Sequence, residues 1–208
     1  MHDRLIKVCG INDPNIAAAA VGLGVDMVGL MLDESSRRLI DIETAKRVSS
    51  VVLTSGGTPI VLSGSRNASE TRALCNLLKT HWVQLIGQAA HGAGRDLPKK
   101  MRRLYTVHIT KENSDMDQII AALPGYDAKR DYILCDAPNP GSGERFDHTV
   151  FEAPSVPFFM AGGLNPDNVQ SIVKQFQPNG VDVSSGVERS LNEKDLDLIE
   201  LFVKRARK

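Results

Sequence analysis

Residues 157–184 read PFFMAGGLNPDNVQSIVKQFQPNGVDVS, and they contain the clearest helical pattern of the chain between two predicted strands. Two short runs rich in β-branched and aromatic residues, 157–161 and 180–184, flank a longer segment. In that segment apolar residues recur at i, i+3, i+4 and i+7 from Val169 to Phe176, which is the apolar stripe of an amphipathic helix. The stretch is therefore predicted to be a strand–helix–strand unit, as found in parallel sheets.

The same alternation runs along the rest of the chain. The predicted strands are 4–9, 25–32, 58–63, 81–87, 102–108, 131–136, 157–161 and 180–184. The predicted helices are 14–23, 42–53, 68–79, 114–123, 165–177 and 193–207, with weaker helical stretches near 94–101 and 147–152. Eight strand–helix units without a linker predict a closed (β/α)8 TIM barrel, one domain over residues 1–208. An open doubly wound sheet is the alternative, but its first turn would carry Gly-x-Gly-x-x-Gly, and residues 9–12 read CGIN.

The composition of the chain argues against a nucleic acid or a membrane as its binding partner. The 208 residues carry 25 basic and 25 acidic side chains, a formal net charge of zero, which is untypical of a nucleic-acid-binding protein. The longest apolar run, 16–25, is too short to cross a membrane. The three cysteines form no Cys-x-x-Cys pair, and the start of the chain lacks a signal-peptide pattern. We therefore expect a cytoplasmic protein with a small-molecule partner.

Strand residues alternate between the barrel interior and the helices, and this places four polar side chains. On the first strand Lys7 and Cys9 point inward, and on the eighth Asp182 and Ser184 do. Active sites of such barrels lie at the carboxyl ends of the strands, so Cys9 and Ser184 are expected at the rim, with Lys7 and Asp182 one layer below in the substrate-binding set. A cation beneath Cys9 would favour its reactive thiolate. The alternative is that Cys9 is merely a small buried apolar residue.

Asp136 ends the sixth strand and precedes a long polar loop, 137–148 (APNPGSGERFDH). A carboxyl group there can give or take a proton, although an isolated aspartate would by default cap a turn. A cysteine base and an aspartic acid on opposite sides of the rim suit proton transfer at carbon, with no metal required.

The last two βα loops are rich in glycine and serine. Gly162 and Gly163 follow the seventh strand, and Ser184, Ser185 and Gly186 follow the eighth. Many barrels bind a phosphate at these loops, through backbone N–H groups and helix N-termini. Tight-turn glycines are the alternative explanation for either loop alone.

The second βα loop, 33–39, offers Arg37 and Arg38 for a carboxylate, although such a pair is often simply solvated. Of the histidines only His108 falls near the carboxyl end of a predicted strand, which speaks against a His-rich metal site.

Several motifs together resemble the phosphoribosylanthranilate isomerase family of tryptophan biosynthesis, in order along the whole chain. They are Lys7-Val8-Cys9-Gly10, Gln84-Leu85 with Gly87, Asp136 followed by Gly141-Ser142-Gly143 and Phe146-Asp147, Ala161 to Val169, and Gly180 to Glu188.

The resemblance implies an Amadori rearrangement, an aldose–ketose isomerisation, of N-(5′-phosphoribosyl)anthranilate without metal or cofactor. It implies that Asp136 protonates the ring oxygen and that Cys9 removes the C2′ proton. It further implies that the seventh and eighth loops hold the phosphate and that Arg38 faces the anthranilate carboxylate. The expected partner is thus a small phosphorylated substrate, with no nucleic acid and no membrane, and the expected state is a monomer, a homodimer being left open.

The chain departs from the family pattern at Ile86, where strand four usually has histidine, and at Pro140 and Glu144 in loop six. Three alternatives stay open. The first is a related barrel isomerase of the histidine pathway or of dual specificity, although such enzymes use an aspartate where Cys9 stands. The second is an aldolase with Lys7 as Schiff base, and the third is a barrel that binds sugar phosphates without catalysis.

Overall fold

The structure is a computed structural model that describes residues 4–34, 36–110, 116–137 and 151–208. Eight parallel strands close into a barrel in sequence order, with β8 paired to β1. The strands are β1 Leu5–Cys9, β2 Met27–Met31, β3 Thr58–Ser63, β4 Trp82–Ile86, β5 Arg102–His108, β6 Tyr132–Asp136, β7 Phe158–Met160 and β8 Gly180–Val183. The closed barrel confirms the predicted fold class and excludes the open doubly wound sheet.

Helices connect the strands on the outside of the barrel. They are α1 Pro14–Gly22, α2 Ile42–Thr54, α3 Ala68–Leu77, α4 Gly87–Gly94, α5 Met116–Ala121, α6 Pro166–Phe176 and α7 Leu196–Ala206. Asp13, Asp41, Asn67, Asn165 and Asp195 cap five of them, each accepting a hydrogen bond from a backbone N–H of the first turn. Within the described residues, no helix has the length and apolar character needed to cross a membrane.

Two predicted helices differ from the structure. The helix placed near 94–101 was wrong, because α4 spans Gly87–Gly94 and directly follows β4. The helix placed at 193–207 begins later, since β9 Glu188–Ser190 and β10 Glu193–Lys194 form an antiparallel hairpin before α7. Most of loop 137–148 and of the weak helix 147–152, and the start of helix 114–123, lie outside the described residues. So do Pro140 and Glu144.

The barrel strands separate two apolar layers. Ile6, Val8, Val181 and Val183 pack outward against the helices. Cys9, Leu62, Leu134 and Phe159 belong to a second cluster inside the barrel. The alternation confirms the predicted facing of β1 and β8, and it aims their intervening polar residues at the barrel interior.

Candidate active site

A pocket opens at the carboxyl ends of the barrel strands, where this class of fold usually places its active site. Its lining comes from β1 to β6, from β8 and its following residue, and from the loop after β2. The lining residues are Cys9, Met31, Ser36, Arg38, Leu62, Gln84, Ile86, Thr106, His108, Asp136, Asp182 and Ser184. Strand alternation therefore brings Cys9 and Asp136 into one pocket.

Lys7 forms an ion pair with Asp182, which lines the pocket. Lys7 Nζ lies 2.9 Å from Asp182 Oδ1, and β1–β8 pairing sets the two residues opposite each other. Burial lowers the pKa of Lys7, but the charge and hydrogen bond of Asp182, together with the charges of Cys9 and Asp136, outweigh burial, and the pKa is raised overall. Lys7 therefore carries its charge at neutral pH.

Replacing Lys7 with Met should lower the free energy of unfolding by about 3–5 kcal/mol, because a buried carboxylate would lose its partner. The double variant Lys7→Met with Asp182→Leu should recover most of that loss, since apolar replacement of a whole buried pair is often neutral. Urea unfolding followed by the fluorescence of Trp82, the single tryptophan of the chain, measures both variants. A loss below about 1 kcal/mol in the single variant would show that the pair does not behave as a buried ion pair.

Cys9 ends β1 and is 6% exposed. Burial raises the pKa of its thiol, while the charge of Lys7 partly opposes that shift. Lys7 thus lowers the pKa of the Cys9 thiol, as expected, but desolvation raises this pKa by more. At neutral pH most Cys9 side chains carry their proton.

Asp136 ends β6 on the other side of the pocket. Burial raises the pKa of Asp136 to about 6, and the negative charge of Asp182 adds to the shift. The side chain accepts a hydrogen bond from the N–H of Ala137 at 2.8 Å, and His108 Nδ1 lies 3.1 Å from the Ala137 carbonyl oxygen. Asp136 can therefore hold a proton well above the ordinary range of an aspartate, as a general acid requires.

Arg38, rather than Arg37, lines the pocket. Arg37 is exposed, whereas Arg38 is buried and donates from Nε and Nη2 to the two oxygens of Glu188, at 2.8 and 2.7 Å. Lys194 Nζ donates to the same carboxylate at 2.7 Å. Although burial raises the pKa of Glu188, the bonds from Arg38 and Lys194 outweigh it and hold the pKa at about 2. Two cations therefore share one carboxylate at the edge of the pocket.

The loops after β7 and β8 meet beside the pocket. Gly162 and Gly163 both have positive φ, at 81° and 65°, and a Cβ on Gly186 would overlap the carbonyl oxygen of Leu164. Among the described residues, no acceptor takes the backbone N–H groups of Gly162, Gly163, Ser185 or Gly186. These N–H groups are available to an anion.

The two α-helices nearest these loops, α6 and α7, are capped by side chains. The Asn165 side chain caps α6 by accepting from the N–H groups of Asp167 and Asn168. After β8 the chain forms a short 3-10 helix, Ser185–Val187, and the later α7 is capped by Asp195. The available anion donors here are the N–H groups of Gly162 and Gly163 in the loop after β7, and those of Ser185 and Gly186 at the start of the 3-10 helix, which has no side-chain cap.

Several pocket residues were missed by sequence reasoning. Gln84 is 4% exposed and donates from Nε2 to Thr106 Oγ1 at 3.1 Å. Its Oε1 is buried without a hydrogen-bond partner in the part of the chain that the structure describes. The signal available for Gln84 and Thr106 was their position on the inward-facing side of β4 and β5. Glu188 and Lys194 left no such signal, because they lie beyond β8, and Arg38, the residue that connects them to the pocket, is 150 positions from Glu188.

A closed parallel barrel with an ionisable pocket at the carboxyl ends of its strands places the chain in the class of (β/α)8-barrel enzymes. The family model described as N-(5′phosphoribosyl)anthranilate (PRA) isomerase matches residues 6–205. The chain therefore belongs to the N-(5′-phosphoribosyl)anthranilate isomerase family, whose enzymes act in tryptophan biosynthesis.

Individual relatives agree over nearly the full length. The N-(5′-phosphoribosyl)anthranilate isomerase of Chlamydia caviae is 30% identical over 98% of this chain and 97% of its own. The phosphoribosyl anthranilate isomerase structure from Thermotoga maritima is 29% identical and superposes with a TM-score of 0.81 over 98% of both chains. A structure of the isomerase in complex with reduced 1-(o-carboxyphenylamino)-1-deoxyribulose 5-phosphate is 28% identical, with a TM-score of 0.79 over 98% of both chains.

Proposed function

We propose that the chain converts N-(5′-phosphoribosyl)anthranilate into 1-(2-carboxyphenylamino)-1-deoxyribulose 5-phosphate, with Asp136 as general acid and Cys9 as general base. The observation that carries the proposal is the pairing of these two groups in one pocket, the carboxyl group having a pKa near 6. Family membership supplies the identity of the reaction, and the solved relative bound to a reduced form of the product supports a phosphorylated ligand.

The first step opens the ribose ring. Protonated Asp136 donates its proton to the ring oxygen while the C1′–O bond breaks, and the lone pair of the anilino nitrogen forms a C1′=N double bond. The products are an open-chain iminium ion and the Asp136 carboxylate. Burial supports this role because it keeps a fraction of Asp136 protonated at neutral pH.

The second step moves the double bond. The Cys9 thiolate takes the proton from C2′, the C–H electrons form C1′=C2′, and the electrons of the C=N bond return to nitrogen. The resulting enolamine becomes the ketone when C1′ gains a proton and the C2′ hydroxyl loses one. C1′ is reduced and C2′ is oxidised within one molecule, so no external oxidant is needed. Transfer of the proton from Cys9 to Asp136 through solvent restores both groups.

The remaining groups suit a polyhydroxylated substrate with two anionic groups, a phosphate and a carboxylate. The unpaired Oε1 of Gln84 can accept a hydrogen bond from a substrate hydroxyl or N–H. The loop N–H groups at Gly162, Gly163, Ser185 and Gly186 suit the phosphate. Arg38 suits the carboxylate.

An aldolase that uses Lys7 is disfavoured. Schiff-base formation needs a neutral amine that reaches the substrate. Lys7 is fully buried, its pKa is raised, and its Nζ is bonded to Asp182.

A substitution at Gly186 tests the phosphate site. Gly186→Ala should raise KM for N-(5′-phosphoribosyl)anthranilate by about tenfold or more, because the added Cβ pushes the two loops apart and weakens a bond to a charged group. Steady-state kinetics, with inorganic phosphate as competing inhibitor, measures the change. The matched control is Gly92→Ala in α4, where an added Cβ meets nothing within 4 Å. Equal KM values for both variants would contradict the assignment.

We also propose that a single chain is the working unit. Support comes from the pocket, since the strands and loops of a single barrel bring Cys9, Asp136 and Arg38 together in it. Light scattering at assay concentration should give the mass of one chain, and specific activity should not vary with protein concentration. Activity confined to a dimer would contradict this.

Genetic complementation tests the function as a whole. The gene should restore growth without tryptophan to a host that lacks the isomerase, and the Cys9→Ala gene should not. Cys75→Ala is the matched control, because Cys75 is equally buried but lies in α3, outside the pocket. Failure of the wild-type gene, with folded protein present in the cells, would contradict the proposed function.

A further inference from the structure

We infer that Glu188 and Lys194 are positioning residues that determine how strongly the enzyme prefers substrates bearing a carboxylate on the aryl amine, and that they act through Arg38. This inference rests on the proposed function and extends it to residues beyond those assigned to the reaction.

Glu188 occupies only one of the two edges of the Arg38 guanidinium that can bind a carboxylate. Glu188 binds the side edge of Arg38, formed by Nε and Nη2. Nη1 has no hydrogen-bond partner within residues 4–34, 36–110, 116–137 and 151–208. The end edge, Nη1 with the second hydrogen of Nη2, is thus left open, and it still matches a carboxylate with two parallel bonds. By holding one edge, Glu188 selects the edge that a substrate can use.

Arg38, Glu188 and Lys194 form a charge cluster. Arg38 and Lys194 are both bonded to the one carboxylate of Glu188. Their side chains are 8% and 1% exposed, and that of Glu188 is 6% exposed. Burial lowers the pKa of Lys194, while its hydrogen bond to Glu188 opposes that shift. With Lys194 protonated, two positive charges against one negative charge leave a net charge of +1 in a place that water screens weakly. If Lys194 were absent, Glu188 would neutralise Arg38 and little attraction for a second carboxylate would remain.

The charge cluster of Arg38, Glu188 and Lys194 also contacts the chain at Ser184 and Gly10. Lys194 Nζ also donates to the carbonyl oxygen and to the hydroxyl of Ser184, at 3.0 and 3.2 Å. The Ser184 hydroxyl in turn donates to the carbonyl oxygen of Cys9 at 3.0 Å. Gly10, with φ of 77°, leaves space for Arg38, because a Cβ there would lie 2.9 Å from Arg38 Cδ. The guanidinium therefore has a fixed position relative to Cys9, as orientation of the substrate at the base requires.

The experiment compares two substrates. N-(5′-phosphoribosyl)anthranilate and N-(5′-phosphoribosyl)aniline differ only in the carboxylate, and the ratio of their kcat/KM values defines the carboxylate preference. We expect Lys194→Met to lower this preference at least tenfold, because the cluster loses its net positive charge. We expect Glu188→Gln to lower it at least tenfold as well, because glutamine cannot accept from both Nε and Nη2 of Arg38, and the loss of that fixed orientation outweighs the added positive charge. The loss should fall mainly on KM for the anthranilate substrate, while kcat/KM for the aniline substrate stays within about threefold, the expected spread for a contact of modest energy. Glu193→Gln is the matched control, on the same hairpin but with a side chain that is 59% exposed.

The outcomes are separable. An unchanged carboxylate preference in both variants would overturn the inference. An equal loss of kcat/KM on both substrates would also overturn it, because a purely structural role lowers activity on both substrates alike. Two variants are used because one of them could fail to fold. Absence of anthranilate turnover in the wild type would instead contradict the proposed function.

Discussion

Asp136→Asn should lower kcat/KM for N-(5′-phosphoribosyl)anthranilate by about a thousandfold, within the range that a positioned general acid contributes. Asparagine keeps an acceptor for the N–H of Ala137 but has no proton to give to the ring oxygen. Turnover followed by loss of substrate fluorescence measures the effect. A variant that retains the wild-type rate would remove Asp136 from the mechanism.

The same variant should be more stable than the wild type at pH 7. The pKa of Asp136 is raised to about 6 in the folded chain, so the folded state binds the proton more tightly than the unfolded state. The stability of the wild type therefore falls as pH rises from about 4 to about 6, and it stays lower above that range. Removing the charge should add about 2–3 kcal/mol at pH 7 and almost nothing at pH 4. Urea unfolding at the two pH values tests this, and equal gains at both would contradict it.

Cys9→Ala should also lower kcat/KM by about a thousandfold, because alanine has no group that can take the C2′ proton at the position of the thiolate. Cys75→Ala, in α3, should stay near the wild-type rate. If the two cysteine variants are equally active, Cys9 is an ordinary buried residue.

The pH profile of wild-type kcat/KM should show that the general acid, Asp136, has a lower pKa than the general base, Cys9. The reactive form has Asp136 protonated and Cys9 ionised, yet the pKa of Asp136 is about 6 and burial raises that of Cys9 above its ordinary 9. Below pH 6 the thiolate fraction rises with pH, so kcat/KM rises. Between pH 6 and the pKa of Cys9 the loss of the acid cancels the gain of the base, and the profile is flat.

Asp136→Asn distinguishes this ordering from titration of the substrate. The substrate phosphate also ionises near pH 6. In the variant the acid is gone, so residual activity should keep rising through the former plateau towards the pKa of Cys9. A plateau that persists in the variant would show that Asp136 is not the group responsible.

Much of the site could be predicted from the strand pattern alone. Alternation along a parallel barrel strand determines which side chains point inward, and the strand end determines their depth. These two rules are enough to bring Cys9, Asp136, Asp182 and Ser184 to one pocket.

Other features depend on contacts that no local pattern records. The helix α4 contains three glycines, a composition that is typical of a loop. Position 94 requires glycine because Tyr105 packs against it, and a Cβ there would lie 2.7 Å from the Tyr105 hydroxyl. The partner of Arg38 is Glu188, 150 positions away along the chain. Neither local propensity nor spacing identifies a pair at that distance, so the charge cluster emerged only from the tertiary structure.

Turnover by the purified wild-type chain is the most direct test of the central claim, with the product identified by mass and by the carbon NMR signal of its C2′ ketone. N-(5′-phosphoribosyl)anthranilate should be consumed, and 1-(2-carboxyphenylamino)-1-deoxyribulose 5-phosphate should appear in equal amount. A folded chain that binds the substrate and leaves it unchanged would contradict the account.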